Sequence, residues 1–226
     1  MTVYRCALFN RRADVSPETF RRHWLDVHAP LAAKLPGLGS YRQNHIVERL
    51  HEDPKSPLQS IDGIAQLSFP SVAAMEVSDA SPEYAACKLD IPKFQGGITI
   101  LVIESDELMS GQGGAAKLLW VSTRRASAMP DGLRERWLAS HRDAAREVPG
   151  CGRFVQNFVI DRGHPVSAGV PSGNPEGAEA VGEMWFDDAQ AARAAFASAA
   201  GRRLLFEDDA LAPVAVYLVE EVKIVG

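Results

Sequence analysis

His28, Tyr41 and His45 are the side chains of this 226-residue chain whose types and spacing best suit moving a proton. An unperturbed histidine titrates at about 6.5 and can take or give a proton near neutrality. A tyrosine hydroxyl can polarise a carbonyl or stabilise a developing oxyanion. His28 follows Trp24 by four residues, so on a helix the two share a face, with Leu31 beside them. Tyr41, Gln43 and His45 alternate along the next segment, which on a strand puts all three on one sheet face, and Asn44 belongs to the same strand. If that face meets the helix, two imidazoles, a phenol and an amide gather in an apolar setting lined by Trp24 and Phe9. The competing reading is that His28 simply packs at the apolar edge of a helix.

Other chemistries find no support in the spacing. No GxSxG elbow or Ser-His-Asp order is present for acyl transfer. His23 and His28 are five apart and diverge on a helix, which argues against a zinc pair, so no metal is expected. Neither a GxGxxG nor a phosphate-binding loop occurs, so no nucleotide, nicotinamide or flavin cofactor is expected.

The elements that must hold these residues can be read in order. Val3 to Asn10 reads as a strand. Ser16-Pro17 opens a helix with Ser as N-cap and Pro at its first position, and Phe20, Trp24, Val27, Leu31 and Leu35 form its apolar stripe, ended by Pro36-Gly37. Pro30 predicts a kink or break near His28. Strands follow at Ser40 to Arg49 and Gly63 to Phe69, separated by a turn-rich loop from His51 to Asp62. A weak helix from Val72 to Lys88 restarts at Ser81-Pro82, and Ile98 to Ile103 is the closing strand. The order is βαββαβ.

That unit occurs twice. Trp24 and Trp137, His28 and His141, Pro36 and Pro149, and Gln43 and Gln156 are each 113 residues apart. Further on, Phe69 matches Phe186 at 117, and ITILVIE (98–104) aligns with AVYLVEE (215–221) at the same offset. The expectation is an α+β fold: two ferredoxin-like domains, residues 1–106 and 117–226, joined by a flexible linker at 107–116 and forming an intramolecular dimeric barrel. The second copy is an internal control. It keeps His141, Gln156 and Asn157 but has Phe154 for Tyr41 and Phe158 for His45, so the first half is the better equipped. Glu183 stands where the first half has Gln66, either a buried acid or the exposed partner of an arginine. The loop GHPVSAGVPSGNPEGAE (163–179) reads as a lid or a disordered tip, with the tip favoured.

Composition narrows the partners. A formal charge of −5 and a pI near 5.7 argue against nucleic acid or an anionic membrane. Three cysteines without metal-type spacing read as reduced thiols, and no signal or spanning segment is seen, so a cytoplasmic protein is expected.

FRRHWLDVHAPLAAKLPGLGSYRQNH (20–45) resembles the signature of EthD-domain proteins, and ASPEYAACKLDIPKF (80–94) and AVGEMWFDD (180–188) resemble the later blocks of that family. The resemblance covers nearly the whole chain as two copies. It implies a dimeric α+β barrel and cofactor-independent chemistry on small aromatic, lactone or polyketide-like compounds, as in methylmuconolactone isomerases, polyketide cyclases and cofactor-free oxygenases. Other members are accessory proteins of ether-degrading operons. Carried over, His28 is the motif histidine, Tyr41 and His45 are its neighbours and His141 is its counterpart. The resulting expectation is an isomerase, cyclase or lyase with His28 as acid/base, Tyr41 and His45 orienting a carbonyl, and Trp24, Phe9, Asn44, Gln66, His141 and Glu183 about the substrate. The rivals are a barrel that binds a small hydrophobic ligand unchanged and a structural oligomerisation module. Oligomeric state is open at this point: the fused halves can satisfy each other, or antiparallel sheet edges can pair two chains as a homodimer.

Overall fold

A computed structural model describes residues 2–56, 58–129, 131–166 and 168–226. Eight strands, β1 (Val3–Arg11), β2 (Ser40–Glu52), β3 (Gly63–Phe69), β4 (Gln95–Met109), β5 (Ala116–Arg124), β6 (Arg153–Asp161), β7 (Ala180–Phe186) and β8 (Leu211–Val225), close into one barrel. Their order round the wall is β1-β3-β2-β8-β5-β7-β6-β4. The halves meet at two antiparallel seams, β2 with β8 and β4 with β6. Closure leaves none of these strands with a free edge, so an edge pairing of two chains has no edge to use. β4 runs on to Met109, so the expected linker shrinks to the irregular connection at 110–115, which passes β6 and β7 to reach β5.

Each half packs helices on the outside of its part of the wall. The first half has α1 (Pro17–His23), α2 (Ala29–Ala32), α3 (Val72–Asp79) and α4 (Pro82–Asp90); the second has α5 (Leu133–Glu147), α6 (Ala189–Ala197) and α7 (Ala199–Phe206). The caps are those the sequence offers: Ser16, Ser71, Ser81, Asp188 and Ser198 each accept from a backbone N–H in the first turn. Between α1 and α2 the chain passes through one wide π-turn, Trp24–His28, with the Ala29 N–H reaching back to the Trp24 carbonyl. Pro30 explains it, because a residue without an N–H cannot continue the α-helical ladder. The second copy has Asp143 at that place, and α5 is unbroken.

Alternation along the strands divides the core. Ala7, Phe9, Tyr41, Ile98 and Ile100 face the first-half helices, while Cys6, Leu8, Leu101, Leu119 and Tyr217 face the barrel interior. Two observations correct the sequence reading. Cys6 pairs with Leu101 and its counterpart Leu119 pairs with Tyr217, so the final strands correspond at an offset of 116, one less than expected. A one-residue slip exchanges the faces of a strand, and residues buried on both faces give no alternation to fix the register. The loop after β6 is also no disordered tip. Val166 and Ala168 are buried against the first-half core and Val170 packs on it. No helix among the described residues is long and apolar enough to cross a membrane.

Candidate functional site

The π-turn and β2 bring together what spacing alone could only suggest. Trp24 Nε1 donates to the Tyr41 hydroxyl at 3.0 Å. Gln43 Nε2 donates to the same hydroxyl at 2.9 Å and to the Trp24 carbonyl at 3.0 Å. Tyr41 thus receives two hydrogen bonds while its own proton is not committed to any of them. Burial pushes its pKa up despite these bonds, so the phenol is a neutral donor rather than a base.

His28 is held from the other side. Its Nδ1 lies 3.0 Å from Asp90 Oδ2 at the end of α4. A carboxylate only accepts, so Nδ1 carries the proton and Nε2 presents its lone pair on the opposite edge of the ring. Asp90 also takes His23 Nε2 at 3.1 Å and has the Lys93 ammonium 3.3 Å away. Burial would raise the Asp90 carboxyl, but the hydrogen bonds from His28 and His23 outweigh it and hold it at about 2. The acid therefore stays ionised and can steady an imidazolium on His28.

His28 and Tyr41 line one cavity between the sheet and the first-half helices, together with Phe9, Trp24, Ala7, Ala65 and Ile98. A water-sized sphere can be centred within about 50 Å³ of it. Its walls are mostly apolar, with Phe9 edge-on to Trp24 at 4.8 Å between ring centres. Spacing gave no hint of two further polar members, Arg5 and Gln95. Arg5 is clamped on Asp79 at 2.5 and 2.8 Å and lies 4.7 Å over the Tyr84 ring, and its buried Nε has no partner among the described residues. Gln95 Oε1 is likewise buried without one. Cys87 also lines the cavity, and burial keeps it a thiol with its pKa pushed up to about 11.

Five expected members lie elsewhere, one of them His141, which stays beside Asp208 in the second half. His45 shares the sheet face of Tyr41, but it packs on the Trp24 ring at 4.4 Å and bonds Gln43 Oε1 at 2.9 Å, outside the lining. Gln43 spends its donors on Trp24 and Tyr41, so His45 Nε2 must donate, which leaves Nδ1 buried and without a partner among the described residues. Burial, aided by Arg21, depresses its pKa to about 4, and the ring is neutral at pH 7. Asn44, Gln66 and Glu183 face the barrel interior, because they sit one residue out of phase with the cavity-facing positions. There Gln66 Nε2 donates to Glu183 Oε1 at 2.6 Å, and Asn157 Nδ2 donates to the same oxygen at 2.7 Å. Glu183 also pairs with Lys117, which donates to Asn44 and Glu221 at 2.8 Å each. The carboxyl is held below the usual range: burial opposes this, and Lys117 decides it. Glu183 is thus the buried acid of the two readings.

The second half shows what the same frame becomes without Tyr41. Phe154 cannot accept, and Trp137 Nε1 is buried with no partner among the described residues. Phe158 packs edge-on to Trp137 at 5.4 Å. His141 keeps a carboxylate, Asp208, 3.3 Å from Nε2, while its Nδ1 meets Gln156. Ala7 and Ala65, which pair across β1 and β3 and line the cavity, become Trp120 and Gly182, paired across β5 and β7. A Cβ on Gly182 would come within 2.1 Å of the Trp120 indole, so only glycine admits it. The two changes fit each other.

Comparison with known proteins agrees with the repeat. The EthD domain model matches residues 12–97 and again 126–210. An anthrone oxidase-like protein superposes with a TM-score of 0.62 at 15% identity, covering 99% of this chain and 93% of that one. A chlorite dismutase from Candidatus Nitrospira defluvii gives 0.51 at 9% identity over 99% and 91%. An ethyl tert-butyl ether D family protein from Bacillus halodurans is 25% identical over 45% of this chain and 96% of its own, with a TM-score of 0.37. No curated protein matches the sequence.

Proposed function

The chain belongs to the EthD family, present twice in tandem, and on that footing we propose that its first-half cavity catalyses a cofactor-independent proton transfer on a small aromatic, lactone or polyketide-like carbonyl compound. The observation that carries this reading is His28, fixed by Asp90 through Nδ1 with Nε2 left for an apolar cavity that also holds the Tyr41 hydroxyl. His28 Nε2 takes a proton from a carbon next to the carbonyl, and the electron pair moves onto the carbonyl oxygen. Tyr41 donates a hydrogen bond to that oxygen, and the His28 imidazolium, facing Asp90, returns its proton to another carbon or to a leaving group. The outcome is isomerisation when the proton returns to another carbon and elimination when it goes to a leaving group that departs as the electron pair comes back from the oxygen; in ring closure the enolate carbon bonds to a second carbonyl carbon of the same molecule, whose oxygen takes the proton. Positioned proton transfer contributes about 10²- to 10⁴-fold. His28→Ala should therefore lower turnover on a converted substrate by at least about 100-fold with the thermal midpoint little changed; unchanged turnover would refute the assignment.

One observation favours a second reading, a barrel that binds an apolar ligand without converting it. The His–Asp pair persists as His141 and Asp208 in the half that has lost the phenol, as a purely structural pair would. Recovery of an unaltered ligand after prolonged incubation, with no exchange of its carbon-bound protons into deuterated water, would decide for binding.

A further inference from the structure

We propose that the chain has one working cavity and that Val166, a residue of the other half, sets the size of the molecule it admits; this rests on reading the first-half cavity as the functional site. The segment after β6 crosses the fusion as a strap. Its Val166 is 4% exposed and lines the first-half cavity. The strap is anchored on the cavity wall itself: Ile98 N–H donates to the Pro171 carbonyl and Gly173 N–H to the Ile98 carbonyl, both at 3.0 Å. Gly173 permits this close course, since a Cβ there would lie 1.7 Å from Gln59 Oε1 and 2.1 Å from Thr99 Oγ1.

The reciprocal arrangement is incomplete. On the other side the chain only extends the seam, Asp53 N–H donating to the Val214 carbonyl at 2.9 Å just beyond the pair Glu52 and Ala215, and the space matching the cavity is occupied by Trp120 lying on Gly182. The second half has kept the frame and given up its pocket, while still supplying the ceiling of the first. That ceiling matters because about 50 Å³ is little room; an apolar cavity that takes benzene is nearer about 150 Å³. A ring enters only where the ceiling yields, and the strap places one branched aliphatic side chain there. With Val166 apolar above and His28 and Tyr41 polar at the wall, the fitting ligand class is a single-ring aromatic carrying a hydroxyl or carbonyl.

The test uses the full chain, with phenol and 1-naphthol as probes in isothermal titration and circular dichroism to check folding. The wild-type chain should bind one phenol. Val166→Ala should bind 1-naphthol at least tenfold tighter than wild type, and Val166→Phe should bind phenol at least tenfold more weakly. Trp120→Ala should acquire a second phenol site whose affinity Val166→Phe does not alter. If Val166→Ala and Val166→Phe both bind the probes as wild type does, the inference is wrong, as it is if wild type binds two phenols or if no variant binds either probe. Should Trp120→Ala fail to fold, the Val166 pair still decides. A wild-type chain that binds phenol with the expected dependence on Val166 but exchanges no carbon-bound proton of a carbonyl ligand counts against the proposed catalysis and leaves the cavity assignment standing.

Discussion

His28 and His141 both face a carboxylate, yet the two rings are turned differently: one gives Nδ1–H to its acid and the other presents Nε2 to it. Asp90 is what makes His28 a directed base, so Asp90→Asn should lower turnover while sparing ligand affinity, readable as a fall in kcat with KM little changed. His45 carries a pH signature of its own. Its folded pKa of about 4 lies below the ordinary value, so the unfolded chain binds the extra proton first. Stability from this group is complete above about 6.5 and is lost as pH falls toward about 4, by about 2–3 kcal/mol in all. His45→Phe, the exchange the second copy already carries as Phe158, should flatten the denaturation midpoint across that range. Phe154→Tyr runs the other way: it offers Trp137 Nε1 the acceptor that Trp24 has and should stabilise the chain by about 1 kcal/mol in urea titrations. His28 and Tyr41 were legible because the repeat marks both positions, His28 kept as His141 and Tyr41 replaced by Phe154, and each stands at a spacing that predicts a shared face. Asp90, Arg5 and Gln95 were not, since each is a lone polar residue on a separate element, and nothing local tells a buried acid from a solvated one. A partial signal existed for Asp90, because an acid also follows the last helix of the second copy at Asp208.

The π-turn shows how one residue aims a site. Pro30 was read correctly as an interruption near His28, and the sequence comparison of Pro30 with Asp143 separates a widened helix from a regular one. Pro30→Ala allows the regular ladder to re-form, which shifts His28 around the helix axis relative to Trp24. Turnover should fall at least tenfold while helical content by circular dichroism is held or rises; unchanged turnover would mean the π-turn does not aim the ring. The strands were the opposite case. β2 alternated well enough to fix its faces from sequence, which is why Tyr41 and Gln43 were placed correctly. The closing strands are apolar on both sides, and their register came from pairing partners that sequence does not reveal. The same limitation misplaced Gln66 and Glu183, whose strands are buried from end to end.

Across the whole molecule, alternate antiparallel pairing makes β1 and β5 run the same way, so the halves are related by rotation about the barrel axis. Equivalent positions therefore gather at the same end. One end of the interior is aliphatic, with Leu8 and Val121, and the other is polar, with Tyr4 and Lys117 at the starts of their strands. Lys117 is 1% exposed and answers both Glu183 and Glu221. Removing the ammonium leaves buried carboxylate unmatched, so Lys117→Met should cost about 3–5 kcal/mol in chemical denaturation. Adding Glu183→Gln, which restores the first-half residue type, should recover part of that loss; no recovery would mean the ion pair is not the source. Duplication was legible from constant offsets, and closure into a barrel followed from it. The passage of the second-half strap onto the first-half core was not, because a Pro- and Gly-rich stretch names no destination.

The two seams carry a consequence for the origin and dissection of the molecule. Cut in the connection before Ala116, each half would expose the β-edges it now offers its sibling, and neither fragment should remain soluble by itself. Produced together in one cell, the fragments should find each other and rebuild the native particle as a heterodimer, since both seams lie along strands and neither depends on the peptide that joins the halves.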